Sequence, residues 1–248
     1  MHLPYTDKEA AVKEIISVNN LYKLYRIGDS AVRALDGVSF GIREGEFCAI
    51  VGTSGSGKST LLNMLAGLER PTRGEVIISG QHIEKLKEDE LVRFRRENVG
   101  FIFQSFHLLG TMNALENVAL PLTFRGEARK ARLKKANRML ELVSLGKHKM
   151  HMPNQMSGGQ QQRVGVARAL VADPKIIFAD EPTGNLDSRT SEDVMRLMQK
   201  IVREQKRTLV MVTHDPHEAE YADRVLHIID GKIVRIQENR RDRENDKA

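Results

Sequence analysis

The chain has 248 residues, 40% of them hydrophobic and 29% charged, and a formal net charge of +6. That is the composition of a soluble globular protein able to bury a sizeable core, and no stretch approaches the roughly 20 consecutive apolar residues that a bilayer demands. The start, Met1-His-Leu-Pro-Tyr-Thr-Asp-Lys8, lacks the basic region and apolar run of a secretory signal, and the single cysteine, Cys48, cannot close an internal disulfide, which suits the cytoplasm.

Short β-branched runs alternate with longer helical patterns, the rhythm of a wound α/β fold. Strands are predicted at 47–51, 99–103, 175–179, 208–212 and 224–229. Helices are predicted after Gly57, through the basic middle of the chain, after Ser157 and over 188–204. The segment from about 104 to 157 has no strand pattern and reads as a helical subdomain inserted into one catalytic domain over 15–237, with an extension at 1–14 and a charged tail at 238–248. Residues 125–151 hold nine Lys/Arg against Glu127 and Glu141, a surplus of seven that accounts for the whole net charge. Leu133, Ala136, Leu140 and Val143 recur there at helical spacing, so the basic residues read as a solvated face ahead of a contact with an anionic membrane or acidic partner. The segment has no interleaved aromatics, so nucleic acid is not expected as a partner.

The run Gly52, Thr53, Ser54, Gly55, Ser56, Gly57, Lys58, Ser59, Thr60 follows a strand and opens a helix. Gly-x-x-x-x-Gly-Lys-Ser in that context is a nucleotide phosphate loop: the glycines let backbone N–H groups converge on phosphate oxygens at a helix N-terminus. Lys58 is expected to bridge the β- and γ-phosphates, and the Ser59 hydroxyl to coordinate Mg²⁺. Asp180 and Glu181 end an apolar strand, where an α/β fold delivers side chains to its ligand crevice. Asp180 is expected to hold Mg²⁺ and Glu181 to polarise the attacking water.

A second anion-binding pattern lies at Ser157-Gly158-Gly159-Gln160, directly before a helix and followed by Gln161-Gln162-Arg163. It brings neither a lysine nor a general base of its own. Together with the phosphate loop and the Asp180-Glu181 strand, it resembles the signature motif of the ATP-binding-cassette (ABC) ATPases. The resemblance covers nearly the whole chain. It implies an α/β fold with a RecA-like P-loop NTPase core, an antiparallel β subdomain and an inserted helical subdomain. It also implies ATP as the nucleotide, with Mg²⁺. Gln104 matches the family's Q-loop, with a part in catalysis and metal sensing, and His214 the switch histidine. Asp187 matches the D-loop, and Tyr25 the aromatic that stacks on adenine, with Tyr22 its competitor. In the family Ser157, Gly158, Gly159, Gln160 and Asp187 act in trans, completing the partner's site in a head-to-tail homodimer that sandwiches ATP. Met156 and Gly165 stand where the family usually has Leu and Ala; neither touches the expected phosphate contacts.

The stretch 103–122 and the run Gly184-Asn-Leu-Asp-Ser188 resemble the MacB/LolD/FtsE group. That implies an ATPase on the inner face of the cell membrane, working with a separate integral-membrane permease and, through it, a periplasmic or extracellular adaptor. Phe106, Leu108, Leu109 and Met112 become candidates for the permease groove, against their reading as core residues. A soluble ABC ATPase in a cytosolic assembly or DNA-related role carries the same nucleotide motifs and is the alternative, although no sustained heptads or zinc-type cysteines accompany it here. An inactive regulatory module is expected to lack Lys58 or Glu181, and both are present.

Overall fold

The computed structural model describes residues 13–28 and 30–239; most of the N-terminal extension, the tail beyond 239 and Asp29 lie outside the described residues. Two sheets organise them. Strands β1 (Glu14–Ile27), β2 (Ser30–Arg43), β4 (Arg73–Ile78) and β5 (Gln81–His82) form an antiparallel sheet in the order β2-β1-β4-β5. Strands β3 (Phe47–Val51), β6 (Val99–Phe103), β7 (Ile176–Asp180), β8 (Thr208–Thr213), β9 (Arg224–Ile229) and β10 (Lys232–Glu238) form the second, in the order β10-β9-β3-β8-β7-β6. All pairs in it are parallel except β10 with β9.

The central strands are apolar almost without interruption because both faces of the parallel sheet are covered. The two-residue period of a strand then divides each of them between two cores. In β7, Ile176 and Phe178 join the core shared with the antiparallel sheet, whereas Ile177 and Ala179 join the core under the helices. Val210 and Val212 of β8 follow the first pair, and Leu209 and Met211 the second. Helix α1 (Lys58–Leu65) packs on the first face with α2 (Glu88–Asn98). Helices α3 (Ala114–Phe124), α4 (Arg129–Leu142), α5 (Gly158–Leu170) and α6 (Ser188–Gln205) cover the second, and a single turn, α7 (Pro216–Ala219), follows β8.

Helix α6 buries Val194, Met195, Met198, Ile201 and Val202, one stripe at helical spacing, and stops at Lys206, whose φ of 50° is left-handed. Helix α4 buries Ala136 and Leu140 with Val143 just beyond its end, the stripe read from the sequence. Its basic surroundings are partly engaged: Lys135 pairs with Glu127 at 2.7 Å, and Arg125 donates to the Arg96 carbonyl at 2.8 Å. Helix α2 buries only Leu91 and Phe94, too weak a stripe to stand out in the sequence. A buried pair stitches the two sheets together. Arg224 on β9 donates through Nε to Glu46 Oε1 at 2.6 Å and through its terminal nitrogen to Oε2 at 3.0 Å, while Glu46 also accepts from the Arg43 backbone at 2.7 Å.

Candidate nucleotide site

The register of the parallel sheet aligns four strand ends. Val51 pairs with Thr213, Asp180 with Val212, and Phe103 with Asp180, so Gly52, Gln104, Glu181 and His214 all leave the sheet at one edge. That edge is where ligands bind in an open parallel sheet. An open cavity of about 630 Å³ lies there, lined by Gly52, Thr53, Ser54, Glu181 and His214, with His227 at its side.

The phosphate loop is built for close backbone approach. A side chain at Gly52 would collide with the Ile228 carbonyl and Ser56 Oγ, and Gly57 holds a φ of 101°, which L-residues avoid. Gly57 also gives α1 an N-terminus without a side-chain cap, leaving its first N–H groups for an anion. Lys58, only 5% exposed, donates through Nζ to the carbonyls of Gly52 at 2.8 Å and Thr53 at 2.9 Å, so its ammonium lies curled against the loop. The Ser59 hydroxyl donates to Asp180 Oδ1 at 3.3 Å. These hard oxygen donors fit Mg²⁺. Burial raises the Asp180 pKa, and neighbouring Glu181 adds to this, against the Ser59 hydrogen bond and Lys58.

Glu181 adopts a φ of 43°, an uncommon left-handed conformation for a side-chain-bearing residue, and its N–H donates to the Val212 carbonyl at 3.0 Å. The conformation turns its carboxylate toward His214, whose Nδ1 is 3.2 Å away. Gln104 stands against Gly184: a Cβ there would lie 2.7 Å from Gln104 Nε2, and Asn185 Nδ2 donates to the Gln104 carbonyl at 3.1 Å. The Q-loop and the segment leading to Asp187 are thus held together.

Tyr25 and Tyr22 differ in their surroundings. The Tyr25 hydroxyl donates to Glu69 at 2.8 Å and neighbours Thr60 at the end of the phosphate loop. Burial raises its pKa, as does Glu69. Tyr22 instead lies against Gly37 and Arg73.

Ser157, Gly158, Gly159, Gln160 and Asp187 do not line this cavity. Ser157 caps α5 in a reciprocal box: its Oγ accepts from the Gln160 N–H at 3.3 Å, and Gln160 Oε1 accepts from the Ser157 N–H at 3.0 Å. Asp187 caps α6, accepting from the Thr190 N–H at 3.1 Å and hydroxyl at 2.7 Å, which holds its carboxyl below the usual range. Gly159 packs so tightly on the Thr190 methyl that a Cβ would not fit, which brings the two helix N-termini side by side.

The ABC transporter family model matches residues 35–184. The chain is 49% identical over 89% of its length to a macrolide export ATP-binding/permease protein, MacB, of Chlorobaculum tepidum, of which it covers 34%. It is 45% identical over 91% of its length to an ABC transporter ATP-binding protein, MJ0796, of Methanocaldococcus jannaschii, covering 98% of it. A dimeric structure of MJ0796 in a post-hydrolysis state with ADP and Pi superimposes with a TM-score of 0.84, at 43% identity over 91% of this chain and 99% of that one. The chain belongs to the ABC transporter family. It is an ATP-binding cassette of the ATPase class, with the fold expected from its motifs, and it spans only about a third of the MacB-type relatives. The soluble-assembly alternative is not favoured.

Sequence reasoning missed three buried side chains beside the site, Thr183, Thr213 and Glu218. They belong to no motif with a chemical signature of its own, and only their mutual contacts reveal them.

Proposed function

We propose that this cassette hydrolyses ATP between two copies of itself and uses the closing and opening of that dimer to drive an integral-membrane permease. The observation that carries the reading is that the phosphate loop, opening into Lys58 and Ser59 of α1, meets Asp180, Glu181 and His214 at one edge of the parallel sheet, while Ser157 and Asp187 lie outside that cavity. One copy supplies the phosphate loop, and the other caps the γ-phosphate with the N-terminus of its α5. The two-fold arrangement makes both sites from one self-complementary surface, and the dimeric MJ0796 structures support it.

In the mechanism we assign, backbone N–H groups of Gly55 to Ser59 and the Lys58 ammonium bind the β- and γ-phosphates, and Tyr25 stacks on adenine. Glu181 accepts a proton from the attacking water while His214 steadies the γ-phosphate. Gln104 reports the state of the site to the helical segment 104–157. Mg²⁺, held by Ser59 and Asp180 with Gln104 nearby, would offset the charge of the phosphates. Loss of the γ-phosphate then removes the contact that favoured the closed dimer.

An apolar groove of about 560 Å³ between α2, β6 and α3, lined by Val92, Phe101, Phe103, Leu120, Pro121 and Phe124, is the seat we assign to the permease. Phe124 is 67% exposed, and Arg96 and Arg168 border the groove, features suited to an amphipathic helix with acidic residues. Phe106, Leu108, Leu109 and Met112 do not line it. Among the described residues no helix is long and apolar enough to cross a membrane, so a span must come from elsewhere. The MacB relatives, which carry a permease in the same protein, support a MacB/LolD-type exporter or force-transmitting complex at the cytoplasmic face, with an adaptor reached through the permease. The test is affinity capture from native membranes with Glu181→Gln, ATP and Mg²⁺. Recovery of a permease with a large extracytoplasmic part supports the reading; an intact ATP-dependent dimer bringing down only soluble proteins rejects it.

A further inference from the structure

Glu218 is a buried carboxylate in the single turn of α7, and its two oxygens meet the loop after β7 and the last residue of β8. Oε1 accepts from the hydroxyl of Thr183, and Oε2 accepts from the hydroxyl of Thr213 at 2.6 Å. Thr183 follows Glu181 by two residues, and Thr213 immediately precedes His214. Both threonines are buried, at 2% and 1% exposure, so water does not substitute for the carboxylate. Thr213 Oγ1 already accepts from the Asp215 N–H at 3.0 Å, which leaves its own proton for Glu218 and fixes the sense of that bond.

We propose that Glu218 is a positioning residue of the ATPase reaction: it ties the loop carrying Glu181 to the loop carrying His214 and so sets the geometry of that pair. The proposal rests on the assignment of Glu181 as the base.

Two features make a structural staple useful at this point. Glu181 sits in a left-handed conformation at φ 43°, which persists only where the surroundings over-determine it. Its neighbours supply backbone contacts on either side, from its own N–H to Val212 at 3.0 Å and from the Gly184 N–H to its carbonyl at 3.1 Å. The Glu218–Thr183 bond holds the residue in between, on the inward side. In addition, the Glu181–His214 contact spans two strands, β7 and β8, whose pairing ends before either residue. Beyond that pairing one backbone bond, from the Glu181 N–H to the Val212 carbonyl, still links the two arms, and Glu218 adds a side-chain bridge that touches both. A carboxylate suits the task because it accepts from two hydroxyls at once; an amide has a single acceptor oxygen. Burial raises the Glu218 pKa, and the charges of Asp215 and Glu181 add to this, against the Thr213 hydroxyl and His214.

The test is a set of variants of the full chain, measured for ATP binding, thermal stability, and steady-state and single-turnover hydrolysis. Glu218→Gln keeps the volume but spoils one of the two bonds; kcat is expected to fall about 10- to 100-fold, the scale of a misplaced catalytic group. The ATP dissociation constant is expected to stay within about two-fold. In a Glu181→Gln background the same substitution is expected to cost no more than about two-fold further, because residues that act as a unit are not additive. Thr183→Val tests the bridge from its other end where Glu218→Gln folds poorly; it is expected to lose rate in the same way, and Thr183→Ser, which restores the hydroxyl, to recover most of it. An unaltered kcat in Glu218→Gln or Thr183→Val, with Glu181→Gln inactive, overturns this inference alone. So does an equal fractional loss in the parent and Glu181→Gln backgrounds, which marks a purely structural role. Full activity in Glu181→Gln overturns the base assignment and this inference with it.

Discussion

The Glu181 carboxylate lies 3.2 Å from Nδ1 of His214, with the carboxylate side chain 22% exposed and the imidazole 61%. The pair is graded from sheltered to open, and both side chains line the cavity at the edge of the parallel sheet. Glu181→Gln keeps the volume and removes the carboxylate proposed as the base. Hydrolysis is expected to fall by about 10²–10⁴, the usual worth of a positioned general base. ATP binding survives, so the variant accumulates as an ATP-dependent dimer. Size-exclusion chromatography with and without ATP, alongside phosphate release, reads both effects. An undiminished rate would mean that another group takes the proton.

Tyr25 and Tyr22 offer a clean contrast for adenine recognition. Tyr25 neighbours Thr60 of the phosphate loop, whereas Tyr22 is turned toward Gly37 and Arg73. Stacking of a base on an aromatic ring is worth about 1–3 kcal/mol. Tyr25→Ala is therefore expected to raise the ATP dissociation constant about 5- to 150-fold, and Tyr22→Ala to leave it nearly unchanged. Titration with a fluorescent ATP analogue distinguishes them, and equal losses would reject the assignment of Tyr25.

How much of this was legible in the sequence follows from where the chemistry resides. Gly52 to Thr60 and Asp180-Glu181 are local: phosphate binding needs consecutive backbone N–H groups, and a carboxylate at a strand end needs only its strand. The central strands announced themselves through unbroken apolar runs. The buried bridge of Thr183, Thr213 and Glu218 was invisible because its members come from three segments and carry ordinary residue types. The apolar groove was not legible in the sequence for a related reason. Its concave surface forms where α2, β6 and α3 converge, and Phe106, Leu108, Leu109 and Met112 do not line it. Phe106 and His107, with φ of 60° and 47°, are instead committed to a tight turn whose carbonyls accept from Arg168.

The Glu46–Arg224 pair makes a prediction about stability. The two side chains are 3% and 9% exposed and bond through two nitrogens and two oxygens. Removing one partner strands the other charge in the interior, at a cost of about 3–5 kcal/mol. Glu46→Ala is expected to lose that much in urea denaturation. The double variant Glu46→Leu/Arg224→Met is expected to lose less than Glu46→Ala alone, because neither charge remains. A single-variant loss below about 1 kcal/mol would show that water screens the pair as it does surface ion pairs.

Gly165 in α5 supplies a prediction of the opposite sign. A Cβ at this position would meet Gln162 Oε1 at 3.5 Å and the Phe106 carbonyl at 3.9 Å, ordinary van der Waals distances, and its φ is not left-handed. Nothing in the packing requires glycine there. Glycine inside a helix costs about 0.5–1 kcal/mol relative to alanine, through the backbone freedom it loses on folding. Gly165→Ala is therefore expected to stabilise the chain by about that amount, raising its melting temperature by roughly 1–4 °C for a domain of this size. The helix cap at Ser157 lies two turns away and is untouched, so ATPase activity should hold. A fall in melting temperature would mean that the contact with the Phe106 carbonyl is too tight for the added methyl, and that α5 and the strained turn at Phe106 and His107 depend on the glycine to meet.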